Sequence, residues 1–183
     1  MTEIPFLVLE CIFTAVWLIV RIIVWLKQKK VVWKREAMLL LMYVNLAVII
    51  RSVFFPMETV GGKIQPMPFD PSKIIPFKVN LIPFVNLTQY DTLKKTLLNV
   101  IGNTCMFIPT GIILPILYKR LDSFIKVVAA GAGISLCIEL IQLLFYTRTS
   151  DVDDLILNTL GVIIGYGIYA LVRAIVKAIK KRA

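Results

Sequence analysis

An all-α integral membrane protein is the fold this chain predicts: five transmembrane helices in one bundle, joined in part by a long extracytoplasmic loop. Three observations predict it. The 183 residues are 58% hydrophobic and 17% charged, with a mean hydropathy of +0.84. That is too apolar for a soluble domain, which must cover its core with polar side chains. Apolar runs long enough to cross a hydrocarbon core of about 30 Å recur along the chain. The connections between those runs differ in charge from one side to the other. A chain of this length, used this way, forms a single membrane domain over 1–183 with no room for a second globular unit.

The runs lie near 4–26, 37–56, 97–118, 124–146 and 153–177. The first begins M-T-E-I-P-F, with no basic segment and no small-residue cleavage site after it, so it reads as a retained helix and not a signal peptide. It ends in K-Q-K-K-V-V-W-K-R-E, where Trp25 and Trp33 flank a basic turn and suit an interfacial belt. Between runs two and three stand Pro66, Pro68, Pro71, Pro76 and Pro83, which exclude a regular helix there. The stretch I-I-P-F-K-V-N-L-I-P-F inside this loop is apolar but too short to span. Three placements stay open for it: the interface, a re-entrant dip, or plain packing on the bundle. Run three carries Asn103, with Pro109 and Pro115 expected to bend it. Run four carries Ser135, Glu139 and Gln142 on one face. Run five opens D-V-D-D-L-I-L-N-T-L-G-V-I-I-G. It places Asp154, Asn158, Gly161 and Gly165 on one stripe, the glycines spaced for close helix packing. Asp151 has the position of an N-cap for this helix, a bland role that explains it without chemistry.

Charge sets the topology. Lys27, Lys29, Lys30, Lys34 and Arg35 lie between runs one and two. Lys119, Arg120 and Lys126 lie between three and four, and Arg173, Lys177, Lys180, Lys181 and Arg182 close the chain. The opposite side mixes lysines with Glu3, Glu58, Asp70, Asp91, Asp151, Asp153 and Asp154. Basic loops mark the cytoplasmic face, so the N-terminus is expected outside and the C-terminus inside. The net charge of +10 therefore meets anionic membrane lipid. No nucleic-acid partner is expected, since no basic patch is interleaved with exposed aromatics. With no histidine, and with Cys11, Cys105 and Cys137 all inside apolar runs, no metal site or cofactor is expected. The cysteines read as buried free thiols.

A rise of about 1.5 Å per residue converts position to depth below the outer face. On that count Glu10 lies roughly 9 Å down run one, Arg51 roughly 7 Å down run two and Asn103 roughly 9 Å down run three. Glu139 lies roughly 10 Å down run four and Asn158 roughly 7 Å down run five. Each helix thus offers a polar group to the outer third of the membrane, where such groups are costly without a role. An outward-facing polar pocket is the reading favoured over simple interhelical hydrogen bonding. Its ligand-binding candidates are Asn80, Asn103, Glu139, Gln142, Arg148, Asp151, Asp154, Asn158, Arg51 and Glu10. Arg51 and Arg148 are forks for phosphate or carboxylate. Glu139 and Asp154 are the candidates for acid or base. Glu139 paired to Arg51 or Arg148 as a structural ion pair is the simpler alternative. Arg21 sits apart, near the cytoplasmic end of run one, where it can snorkel.

The residues N-L-I-P-F at 80–84, G-N-T-C-M-F-I-P-T-G at 102–111, S-L-C-I-E-L-I-Q at 135–142, R-T-S-D-V-D-D at 148–154 and N-T-L-G-V-I-I-G at 158–165 also carry a resemblance. In order and spacing the chain resembles the VanZ-like membrane proteins over a core of roughly 80–169. Runs one and two carry little of this signal, so Glu10 and Arg51 rest on depth alone. The resemblance implies the bacterial cytoplasmic membrane and a part in low-level resistance to teicoplanin-type lipoglycopeptide antibiotics. Beside membrane lipids it suggests two partners, a lipid-linked cell-wall precursor or the drug's lipid anchor, held in the outer pocket. A membrane enzyme acting on a phospho-lipid or wall intermediate, with Glu139 and Asp154 as acid and base, is the alternative. Whether the chain is an enzyme, and its oligomeric state, stay open at this point.

Overall fold

The computed structural model describes residues 2–55, 59–85 and 92–182. Glu58 and Asp91, counted on the outer side above, lie outside them. The protein is all-α in character, with five helices long and apolar enough to cross a membrane: α1 Phe6–Gln28, α2 Trp33–Phe54, α3 Leu93–Leu117, α4 Phe124–Gln142 and α5 Val152–Arg182. Large side chains such as Leu7, Ile19, Leu40, Ile125 and Leu171 are exposed along them, as expected of helix faces turned to lipid. Cys11, Cys105 and Cys137 are free but exposed, contrary to the burial expected of them. In a membrane helix the outer face is apolar too, so an apolar run does not imply burial.

Contacts divide the chain into two compact units. The first comprises Met1–Lys78 and Ile141–Thr149. In it Arg21 does not snorkel. It is buried and forms a two-pronged ion pair with Glu36, Nη2 to Oε1 at 2.5 Å and Nε to Oε2 at 3.0 Å. The two side chains keep only 7% and 13% of their exposure, and Arg21 also lies over the Trp25 ring. Glu36 falls in the first turn of α2, just after the basic Lys34 and Arg35, so the pair links the end of α1 to the start of α2. One level along, Tyr43 stacks on Phe13, leans on Trp17, shares a 2.7 Å hydrogen bond with the Thr14 hydroxyl and donates to Glu10.

The loop of this unit is made of short strands, as its prolines require. Strand β1 Thr2–Ile4 pairs antiparallel with β4 Met67–Phe69, and β2 Thr59–Val60 with β3 Lys63–Ile64. Gly61 and Gly62 both take positive φ, the turn that lets a two-residue hairpin follow the strand twist. Asp70 then accepts from the Ser72 amide and hydroxyl at the head of a short 3-10 turn. These donors hold its carboxyl below the usual range.

The second unit comprises Val79–Leu140 and Ser150–Ala183. Its centre is the seam of α3 and α5. A Cβ on Gly161 would overlap the Thr104 carbonyl, one on Gly165 the Ile108 carbonyl, and one on Gly111 the Val162 carbonyl. The glycine stripe of run five therefore packs within this chain, backbone against backbone, and continues onto α3 through Gly111. At one end, Asp122 in the α3–α4 connection takes Arg173 at 2.6 Å and the Tyr169 hydroxyl at 3.1 Å. Arg173, counted above only as a topology marker, thus has a local partner. Two-residue strands β5 Val79–Asn80 and β6 Ser150–Asp151 pair in parallel, Asn80 opposite Asp151.

The Arg21–Glu36 pair gives the first test. Arg21→Met alone leaves a buried carboxylate unpaired and is expected to lower stability by about 3–5 kcal/mol. Arg21→Met with Glu36→Leu is expected to recover most of that loss. Unfolding of the purified protein in micelles reads both, and equal destabilisation by the single and double variants would contradict the pairing.

Candidate functional site

The second unit gathers the polar residues of the opening of α5. Asp151 precedes that helix, and its Oδ1 accepts from the Asp153 amide at 2.9 Å, as an N-cap does. The same oxygen accepts from Asn80 Nδ2 at 3.0 Å, while the Asp151 amide donates to Glu139 Oε2 at 2.8 Å. One residue thus ties β5, the end of α4 and the start of α5 together. Asp153 in turn takes the Phe84 amide at 2.6 Å. Phe84 reaches it with φ of 67°, a left-handed conformation that a bulky residue adopts only under constraint. Across the α3–α5 seam, Asn103 Nδ2 donates to Asp154 Oδ1 at 2.5 Å. Asn158 Nδ2 donates to the Ser135 hydroxyl at 2.9 Å.

Four carboxylates, Glu139, Asp151, Asp153 and Asp154, thus share one region with Asn80, Asn103 and Asn158. Glu139 and Asp153 are buried with Asp151, and Asn158 is only 2% exposed. Their donors are backbone and side-chain amides plus the positive end of α5. No ion pair to Glu139, Asp153 or Asp154 occurs among the described residues of this unit. Acceptor capacity is left over: Asp153 Oδ2 and Asn158 Oδ1 are buried and make no hydrogen bond among the described residues. Buried oxygens of that kind seek N–H or O–H donors. No grouping of these acids with metal-binding geometry is found among the described residues.

The helix ends correct the depth count. Helix α4 stops at Gln142, not near 146, so Glu139 is about 4.5 Å from its end; α3 starts at Leu93, which puts Asn103 about 15 Å from its own. Equal depth by counting is not what assembles the cluster. Asn103 faces Asp154, and Glu139 is held by the residue before α5. Sequence reasoning gave Asp153 and Ser135 only structural roles, although Asp153 stands in the same D-V-D-D run. Nothing in the sequence marks the Phe84 amide.

The remaining candidates belong to the first unit. Glu10 takes Tyr43 on Oε1, and its Oε2 is buried without a partner. Arg51 donates to the Phe55 carbonyl at 3.3 Å and lies over the Phe6 ring. Gln142 is buried, with a 3.5 Å contact from Nε2 to the Val53 carbonyl. Arg148 is half-buried, and its guanidinium has no hydrogen bond or ion pair among the described residues. Burial pulls its pKa below the ordinary arginine value.

Fold and site together define a multi-pass membrane protein with a carboxylate–amide cluster where helices meet a loop. The family model described as VanZ/LLP1 matches residues 38–173, and the chain belongs to that family. The match starts within α2 and so takes in Arg51, further than the resemblance read from 80–169. A curated relative, Protein VanZ of Enterococcus faecium, is 33% identical over 87 residues, 48% of this chain and 53% of that protein. The chain therefore matches about half the length of that relative. No solved structure matches the chain.

Asp151 gives the test of this site. Asp151→Ala leaves the Asn80 and Asp153 donors unmatched in a buried place and is expected to cost about 1–3 kcal/mol. Asp151→Asn keeps the accepting oxygen and is expected to cost distinctly less. Thermal unfolding, with amide exchange followed at Asn80 and Asp153, distinguishes them; equal behaviour of the two variants would show the side chain to be unused.

Proposed function

We propose that this protein contributes to low-level resistance to teicoplanin-type lipoglycopeptide antibiotics. It would do so at the bacterial cytoplasmic membrane, by holding the polar head of a lipid-linked cell-wall precursor or the drug's lipid anchor. Family membership supports the biological setting. The observation that carries the site is the carboxylate–amide cluster with its two buried, unmatched acceptor oxygens. Sugar hydroxyls and peptide or acetamido N–H groups are the donors that such oxygens accept from. Both occur in the head of a wall precursor and in a glycopeptide.

Binding and catalysis make different demands on Glu139. A binding site needs its shape and one accepting oxygen; an acid–base enzyme needs its proton. In a susceptible Gram-positive host, Glu139→Gln is expected to keep most of the protection against teicoplanin, and Glu139→Leu to lose it. Loss with Glu139→Gln at normal membrane level would instead favour the enzyme reading. Asp154→Asn gives the second readout for the same choice.

The proposed orientation places the N-terminus and this cluster outside and the C-terminus in the cytoplasm. It rests on the basic residues of the 27–35 and 119–126 segments and of the last turns of α5. A phosphatase reporter fused after Ala183 is expected to be silent, and a cytoplasm-active reporter at the same point to be bright. The reverse pattern would invert the orientation and remove the cluster from the outer leaflet.

A further inference from the structure

Strand β5 of the second unit leads into a short turn, Leu81–Phe84, at the end of the unit where α5 starts. The turn carries no charge, yet Leu81, Ile82 and Phe84 are 75%, 65% and 58% exposed. We infer that this turn is a membrane-inserted loop, with those three side chains set among acyl chains at the boundary between hydrocarbon and headgroups. Of the three placements open for this stretch from sequence, that is the interface. The partner is the bilayer itself. The inference requires neither a ligand in the carboxylate–amide cluster nor one particular orientation of the chain.

The turn is two-sided. Its polar groups are committed to the cluster: Asn80 Nδ2 donates to Asp151 Oδ1 at 3.0 Å, and the Phe84 amide to Asp153 Oδ1 at 2.6 Å. Asn80 Oδ1 also accepts from the Ile82 amide at 3.2 Å, and Pro83 has no N–H to satisfy. Unmatched amides would keep such a segment out of lipid. Here the Ile82 and Phe84 donors are matched within the chain, and what the turn presents outward is apolar.

The helix seam gives the level of the turn. Helices α3 and α5 run in the same direction, with Gly161 against Thr104 and Gly165 against Ile108. The same register carried outward sets Asp151 level with Lys94 and Asp153 level with Thr96. Lys94 and Lys95 are exposed in the first turn of α3, and the exposed Leu97, Leu98 and Ile101 follow them. Lysines above and apolar surface below mark the edge of the hydrocarbon. Tied to Asp151 and Asp153, the turn stands at that edge.

Exposure and level set the other placements aside. Side chains packed on the bundle would not keep more than half of their exposure. A re-entrant dip would carry the carbonyls of an irregular turn into hydrocarbon, where nothing satisfies them. In water the three side chains would form an uncovered apolar patch. At the edge, carbonyls reach headgroups and water while the side chains reach lipid.

Insertion also bears on the cluster. Asn80 and Phe84 flank the turn, and each holds a cluster carboxylate. Phe84 does so at a φ of 67°, a strained conformation for its type. Lipid contact of the ring helps to hold it there, so Phe84 is a positioning residue for Asp153.

The test uses the full chain in nanodiscs of phosphatidylglycerol and phosphatidylethanolamine. Two diazirine phospholipids are added in trace amounts, one reactive near the glycerol end of its acyl chain and one at the terminal methyl. Mass spectrometry locates the label. The shallow probe is expected to label Leu81–Phe84 together with Leu97 and Leu98. The deep probe is expected to label Leu160 and Ile164, exposed residues about 12–18 Å below the start of α5, and to miss the turn. No labelling of the turn by either probe would overturn the inference, since water or a protein partner would then cover it. Deep labelling of the turn equal to that of Leu160 and Ile164 would overturn it in favour of a re-entrant dip. Leu81→Lys with Ile82→Lys is expected to abolish shallow labelling of Pro83 and Phe84 while Leu97 and Leu98 stay labelled. Undiminished labelling of Pro83 and Phe84 in that variant would overturn lipid contact as what holds the turn at its level. The first comparison needs no substitution, so a variant that fails to fold leaves it intact.

Discussion

The approach of α3 to α5 is the constraint on which the second unit depends. Without water to take up helix polarity, two helices in hydrocarbon gain little from burying apolar surface against each other. They gain from dispersion and from the contacts that short distance permits. Gly161, Gly165 and Gly111 remove the side chains that would hold the backbones apart, and each meets a carbonyl or backbone atom of the opposite helix. A seam so close cannot slip by a residue without driving a side chain into a backbone. It therefore fixes the register, and the register sets Asn103 against Asp154.

That fixed register explains how acids can be assembled at a place hostile to them. Carboxylates brought together repel, and each needs donors to compensate for lost hydration. Here the donors come from three directions: Asn103 from α3, Asn80 from the loop strand, and the amides of Asp151, Asp153 and Phe84. All are neutral. In the first unit the problem is solved differently, by a guanidinium fork on Glu36. A full ion pair satisfies both partners and leaves nothing for a ligand. A cluster held by amide donors leaves acceptor capacity over, as Asp153 Oδ2 and Asn158 Oδ1 show among the described residues.

Much of this was legible in the sequence, and the limits have physical causes. The five helices follow from hydrophobic length, because a bilayer fixes the length of what crosses it. The stripe of Asp154, Asn158, Gly161 and Gly165 follows from the helical period, and the glycines do pack. Asp151 as an N-cap follows from its place before an apolar run, yet that bland role and membership of the cluster coexist in one side chain. Other features were hidden because they arise from tertiary pairing. Arg21 finds Glu36 fifteen residues on, across a turn whose basic character suggested only topology. The loop strand at Asn80 meets Asp151 across seventy-one residues, a separation no local pattern encodes. Helix ends carried the depth estimate, and they shifted by several residues at α3 and α4. Counting is weakest where a helix leaves the hydrocarbon, because there packing and caps set the end.

A side chain that packing does not explain points outward from the protein. Among the described residues Arg148 has no anionic partner, and Asp153 Oδ2 and Asn158 Oδ1 are buried without donors. A structure optimised for stability alone would close such gaps at little cost, for example with an acid near Arg148. Interhelical hydrogen bonding accounts for Asn103, Ser135 and Asp151, whose partners lie within the chain. It leaves the unmatched groups unexplained. The polar cluster thus holds its helices together while two of its acceptor oxygens stay unmatched among the described residues.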